Sequence, residues 1–216
     1  MKYVSIDIET TGINREKCQV LSIGAVIEDT NNPLPIEELP RFHAAIIGRE
    51  GLYGEPFALN MNKDLIETIV QYQTASDQDE KNDLVNMTGM QFLKEEEVAI
   101  QFYNWLAQND MTEGFTFRQG SPVKKVYLNV AGKNFATFDK VFLEQLPRWK
   151  QLIDIRNRIL DPAILFVDWI NDESLPGLGK CKERANIKGI VTHNALEDAM
   201  DVVEILRTKY VTSKNK

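Results

Sequence analysis

Residues 2–9 alternate, Val4, Ile6 and Ile8 falling on one side and Asp7 and Glu9 on the other, the period-2 pattern of a β-strand. Further strands are expected near 18–28, 41–47, 125–131 and 159–166. Helical spacing marks 62–73 and 94–108, where Val98, Phe102, Trp105 and Leu106 form an apolar stripe. A helix is expected to start near Asn134 and run through Leu143, with Asp139 about one turn in. Leu196, Ala199, Val202, Val203 and Leu206 predict a last amphipathic helix, with Asp201 on its exposed side. Two stretches, 48–60 and 73–93, are weakly patterned and read as loop-rich insertions, and 211–216 reads as a frayed tail. The expectation is one α/β domain over 1–210, a mixed five-stranded sheet flanked by helices.

With 216 residues, 43% of them hydrophobic, the chain has enough apolar side chains for one substantial core. It has no apolar run of membrane-spanning length. Because the first strand begins at residue 2, no signal peptide is expected and cytoplasm is the expected location. Cys18 and Cys181 are too few for a disulfide framework and are expected as reduced thiols. His43 lies in an apolar run and reads as a packed residue. Gly177-Leu178-Gly179-Lys180 lacks the remaining spacing of a phosphate loop and reads as the start of a helix.

Three segments carry candidate chemistry. Asp7 and Glu9 project from one face of a strand whose other face is apolar, and Thr10-Thr11-Gly12 then makes a turn whose backbone N–H groups are free to face a ligand. Asp139 follows a buried-looking strand, and His193 precedes Asp198 by five residues at the start of the last helix. Each has a plainer reading taken alone: solvated acids on an edge strand, a first-turn acid, a capped helix with an incidental histidine. Buried like charges, however, are costly unless cations compensate them.

Taken together, Asp7-Ile8-Glu9-Thr10-Thr11-Gly12, Asn134 to Asp139 and His193-Asn194-Ala195-Leu196-Glu197-Asp198-Ala199 resemble the three motifs of the DEDDh 3′-5′ exonucleases, the family of polymerase proofreading subunits, oligoribonuclease and ribonuclease T. The resemblance implies a ribonuclease H-like fold, Asp7, Glu9, Asp139 and Asp198 as metal ligands and His193 as general base. It also implies contacts to the substrate from Thr10, Thr11, Gly12, Ile13 and Asn134. The chain departs from the proofreading pattern at Lys133-Asn134, where His-Asn is usual, in placing Asn134 five residues before Asp139, one more than in that pattern, and at Ser22, where many members have Glu.

The implied cofactors are two Mg²⁺ or Mn²⁺, hard cations suited to carboxylates. A pair roughly 3.5 to 4 Å apart generates a nucleophile from water and stabilises the departing 3′ oxygen. Asp7 is expected to bridge them, Glu9 and Asp198 to complete the water-activating site, and Asp139 to help hold the second metal. Imidazole titrates in the physiological range, which suits a general base.

A net charge of −7 suits long duplex poorly. Its distribution is uneven: 76–97 carries −5 and 151–176 carries −3, whereas 121–150 carries +4 and 177–216 carries +3. The basic segments coincide with the second and third motifs, so the expected partner is a single-stranded nucleic acid 3′ end or a short oligonucleotide, with no membrane. Phe135 and Phe138 are candidates either for base stacking or for the core. A polymerase or replication partner and a homodimer are expected only through the family likeness. A catalytically silent binding module of the same fold is the alternative from a different class.

Overall fold

The computed structural model describes residues 1–111, 113–118 and 121–211. Strand β1 (Lys2–Thr10) lies inside the sheet. It pairs antiparallel with β2 (Val20–Asp29), which pairs antiparallel with β3 (Arg41–Ile47). On its other side β1 pairs parallel with β6 (Ser121–Ala131) through Val4–Val130 and Ser5–Ala131. The β1–β2 register sets Asp7 opposite Gly24 and Glu9 opposite Ser22.

Alternation along β1 is matched by burial on both faces. Val4, Ile6 and Ile8 pack into a core with Phe102 and Leu106 of α4 (Glu95–Gln108). Tyr3 packs on the opposite face with Val202, Val203 and Leu206 of α9 (Ala195–Tyr210). Asp7 and Glu9 share the parity of Tyr3 and therefore lie on the α9 face, at the C-terminal end of the strand. Asn194 caps α9, its Oδ1 accepting from the backbone N–H groups of Leu196 at 3.1 Å and Glu197 at 3.2 Å. Gly24 permits the helix to start there. A Cβ at that position would meet the carbonyl carbon of Ala195 at 2.1 Å, so the sheet lacks a side chain just where α9 begins.

Among the described residues the sheet has seven strands, two more than the five expected. The additions are β4 (Gln91–Lys94), parallel to β3, and β5 (Glu113–Arg118), antiparallel to the first half of β6. Both are short edge strands, and an edge strand packed mainly on one side needs no continuous apolar run. The last strand, β7 (Ile153–Leu160), starts six residues before the expected position. Exposed Arg156, Asn157 and Arg158 interrupt its apolar run where its register with β6 shifts. Pro162 then leads into the single-turn helix α7 (Ala163–Phe166), which occupies the rest of the segment first read as strand.

Of the two weakly patterned stretches, 48–60 is loop up to residue 55 and helical beyond it, whereas 73–93 is largely helical. The first contains α1 (Pro56–Met61), followed directly by α2 (Lys63–Thr74). The second contains α3 (Gln78–Thr88), in which no residue is fully buried, so its sequence carries little periodic signal. The helix expected from Asn134 is broken. Asn134 O closes one turn by accepting from Thr137 and Phe138, and α5 (Asp139–Leu143) begins at Asp139 itself. Trp149–Leu152 forms the single-turn helix α6, and Gly177 starts α8 (Leu178–Arg184), as its sequence suggests. Cys18 and Cys181 are buried and free. Among the described residues no helix is long and apolar enough to cross a membrane. Of the tail 211–216, residues 212–216 lie outside the described residues.

Candidate metal centre and active site

Three elements carry the acidic residues to one place. β1 supplies Asp7 and Glu9, the N-terminus of α5 supplies Asp139, and the first turn of α9 supplies Asp198. Asp139 Oδ1 accepts the backbone N–H of Ile8 at 3.1 Å, which fixes it against β1 between the two acids of that strand. Glu9, His193 and Asp198 form a tighter group, in which one potential ligand atom from each lies within 4.8 Å of the others. His193 is exposed and holds a left-handed backbone, φ 56°.

The electrostatics of the cluster are frustrated. Burial, followed by repulsion from Asp139, Asp198 and Glu9, drives the Asp7 carboxyl well above its ordinary range. Burial and then Asp198 push Glu9 up to about 8, against an opposing contribution from the Asn62 amide. Asp139 is raised to about 7 by burial, although backbone hydrogen bonds favour its anion. Asp198 is raised to about 6, mainly by burial and then by Asp201, with His193 opposing. Asp198 Oδ1 is buried and has no hydrogen-bond partner among the described residues. Hard oxygen donors crowded at this density, one of them orphaned, fit a divalent cation that would neutralise them.

The Thr-Thr-Gly turn is held by residues that carry no motif. Glu55, just before α1, accepts from the backbone N–H groups of Ile13 at 3.2 Å and Asn14 at 3.3 Å, while its own N–H donates to Thr11 O. Asn62 is buried and its Nδ2 donates to Thr10 O at 3.1 Å and Ala58 O at 3.2 Å. Gly12 has φ 155°, and a Cβ there would lie 2.7 Å from Cys18 Sγ and from Glu55. Thr10 and Thr11 are buried, whereas Ile13 is 77% exposed. Neither Glu55 nor Asn62 belongs to a sequence pattern, and only the docking of α1 onto the turn reveals them.

Asn134 serves its own turn. Its N–H donates to Asp161 Oδ2 at 3.0 Å and its Oδ1 accepts from Lys133 Nζ at 2.5 Å. Phe135 is fully buried in the core, which removes it from the stacking candidates, and Phe138 packs against the same core.

A cavity of about 340 Å³ opens beside Glu9 and His193, between α2 and the start of α9. Glu9, Ser22 and His43, from three neighbouring strands, line it. His43 is buried, as expected, and burial lowers its pKa to about 4, so the ring is neutral near pH 7.

Solved structures sharing this architecture were found at low sequence identity. Exonuclease I from Methylocaldum szegediense matches 98% of this chain and 41% of its own length, with TM-score 0.56 and 14% identity. The fold is that of the matched part of exonuclease I. E. coli exonuclease I in complex with a 5cy-dT13 oligonucleotide matches 96% of this chain and 41% of its own, with TM-score 0.53 and 13% identity. Cell-death related nuclease 4 (CRN-4) matches 95% and 62% respectively, with TM-score 0.53 and 14% identity. This chain thus spans 41% of the exonuclease I chains and 62% of CRN-4. No protein-family model and no curated protein matches the sequence. The expected ribonuclease H-like class is the one observed, a mixed sheet with helices on both faces.

Proposed function

We propose that the protein is a divalent-metal-dependent 3′-5′ exonuclease that removes nucleoside 5′-monophosphates from single-stranded DNA or RNA ends. The observation that carries this reading is the convergence of Asp7, Glu9, Asp139 and Asp198 with His193, in a cluster whose carboxyls are all pushed up by burial. A fold shared with part of E. coli exonuclease I, which has been solved in complex with 5cy-dT13 and dA16 oligonucleotides, supports it.

Asp7, Glu9, Asp139 and Asp198 would hold two Mg²⁺ or Mn²⁺ ions. Bound there, such ions supply charge stabilisation at the phosphate and lower the pKa of water. His193, exposed and with a ring nitrogen within 4.8 Å of ligand atoms of Glu9 and Asp198, accepts the proton of the attacking water. The Gly12 turn receives the 3′-terminal nucleotide, with Ile13 offering exposed apolar surface to the terminal base. Thr10 and Thr11 shape the turn from beneath. Thr10 Oγ1 donates to Gly12 O at 2.8 Å, and Thr11 Oγ1 accepts from Gln19 N at 2.8 Å. Asn134 orders the turn that delivers Asp139.

The test is incubation of the purified protein with 5′-labelled single-stranded DNA and RNA of matched sequence, with Mg²⁺, Mn²⁺ or chelator, beside Asp7→Ala. A 3′-shortening ladder requiring both metal and Asp7 is expected, and the faster strand identifies the preferred sugar. Normal binding without cleavage of either strand would replace this reading with that of a silent binding module.

A further inference from the structure

Behind Asp198 lies an ion pair that the reaction scheme above does not use. Lys182, on α8, is only 5% exposed. Its Nζ lies 2.5 Å from Asp201 Oδ2, and Asp201 follows Asp198 by three residues on α9. The same ammonium donates to the carbonyl of Ile190 at 3.4 Å. Asp201 is therefore inward and paired, not on the exposed side of the helix as its spacing suggests.

Ile190 belongs to the segment that joins α8 to α9 and ends in His193. That segment has little packing of its own: Ile190 is 82% exposed, and Lys188, Gly189, Thr192 and His193 are exposed as well. Three of its residues hold positive φ, Asn186 at 57°, Gly189 at 107° and His193 at 56°. A non-glycine residue in that region is held by its surroundings rather than by its own preference. Asn194 anchors the C-terminal end of the segment as the α9 cap, and Ile187 N donates to Lys182 O at its start. Between these anchors, the Lys182 ammonium bonds the backbone, and at Gly189 it is the φ of 107°, not space, that favours glycine, since a Cβ there would lie in ordinary contact 3.6 Å from Nζ.

We propose that Lys182 is a positioning residue for His193: neutralised by Asp201 and bonded to Ile190 O, it fixes the segment that carries the imidazole to the same helix that carries Asp198. One buried cation thereby ties the proton acceptor to a metal-ligand helix, so that the two keep a common geometry. This inference rests on the hydrolytic reading given above.

A buried ion pair replaced on both sides by apolar residues commonly leaves stability unchanged or raised, whereas removing one partner strands a charge. The informative variant is therefore the double substitution Lys182→Met with Asp201→Leu, compared with wild type for melting temperature, kcat and KM on single-stranded oligonucleotide, and amide hydrogen exchange of residues 188–194. The expected result is an unchanged or higher melting temperature, faster exchange confined to 188–194, and kcat lower by about tenfold or more with KM little changed, since misplacement of a catalytic group by about 1 Å is costly. Wild-type kcat together with wild-type exchange in this segment would overturn the proposal, leaving the pair a packing feature. Should the wild-type protein not hydrolyse nucleic acid at all, the hydrolytic reading fails by itself. The exchange measurement, which needs no turnover, then still decides whether Lys182 fixes the segment. Lys182→Ala with Asp201→Ala makes the same comparison if the larger apolar pair does not fold.

Discussion

Asp139 Oδ1 accepts a hydrogen bond from the N–H of Ile8, the residue between Asp7 and Glu9, at 3.1 Å. A bond spanning 131 positions of sequence thus sets the third carboxylate against the first two. It also stabilises the Asp139 anion, which burial opposes, and the balance leaves the group at about 7. The site is assembled against its own electrostatics, and several consequences can be measured.

Asp139→Asn keeps an oxygen able to accept from Ile8 N but removes a buried charge from beside Asp7. In chelator the variant should be more stable than wild type at pH 8, by on the order of 1 kcal/mol. Denaturant unfolding followed with and without Mn²⁺ checks this. The wild type should gain stability from the ion and the variant should gain much less.

Glu9 at about 8, Asp139 at about 7 and Asp198 at about 6 all lie above their ordinary carboxyl values, 4.5 for Glu9 and 3.8 for the two aspartates. Such groups bind protons more tightly folded than unfolded, so their contribution is lost as pH rises through the folded values. His43 acts in the opposite sense, with a folded value of about 4 against 6.5, but its effect is confined to pH below 6.5. From pH 6.5 to 8.5 the melting temperature of metal-free protein should therefore fall. A saturating divalent ion should cancel most of that fall, adding about 2.7 kcal/mol when present at a hundred times its Kd. Melting curves flat over this range in chelator would contradict the cluster's raised carboxyls.

His193→Ala separates proton transfer from ligation. If His193 accepts the proton as proposed, its removal should cost about 10²- to 10⁴-fold in kcat while Mn²⁺ affinity and oligonucleotide binding stay near wild type. Its nitrogen also lies within 4.8 Å of ligand atoms of Glu9 and Asp198. Calorimetry showing a large loss of Mn²⁺ affinity would accordingly make it a ligand instead.

Gly24→Ala places a methyl group 2.1 Å from the carbonyl carbon of Ala195 and 2.1 Å from Leu196 N, so the start of α9 must move. Overpacking of this kind costs about 1–3 kcal/mol. Because α9 carries Asp198, activity should fall by more than the loss of folded protein explains. Comparing the denaturation midpoint with specific activity tests this directly.

Much of the architecture was legible without coordinates. Strands β1, β2, β3 and β6 follow from period-2 or continuous apolar runs, and α2, α4 and α9 from 3.6-residue spacing, because burial on a face writes periodicity into sequence. β4, β5 and α3 left little such trace. The two strands are short, and α3 buries none of its residues fully. Asp201 was misread for a related reason: helical spacing reports which face is apolar, whereas a buried lysine on another helix can bring an acid inward unannounced.

The chain by itself determined where the candidate residues fall along the strands and helices. Asp7 and Glu9 share a strand face, Asp139 starts a helix, and His193 and Asp198 open the last one, all consequences of local covalent geometry and periodicity. Tertiary structure decided what lies between those segments: the Asp139–Ile8 bond, the grip of Glu55 and Asn62 on the Gly12 turn, and the Lys182 bridge from α8 to Ile190 and α9. Each joins groups on separate elements, several through backbone N–H or carbonyl groups that every residue type possesses. No residue identity encodes such a partner, and only the packing of the sheet against its helices selects it.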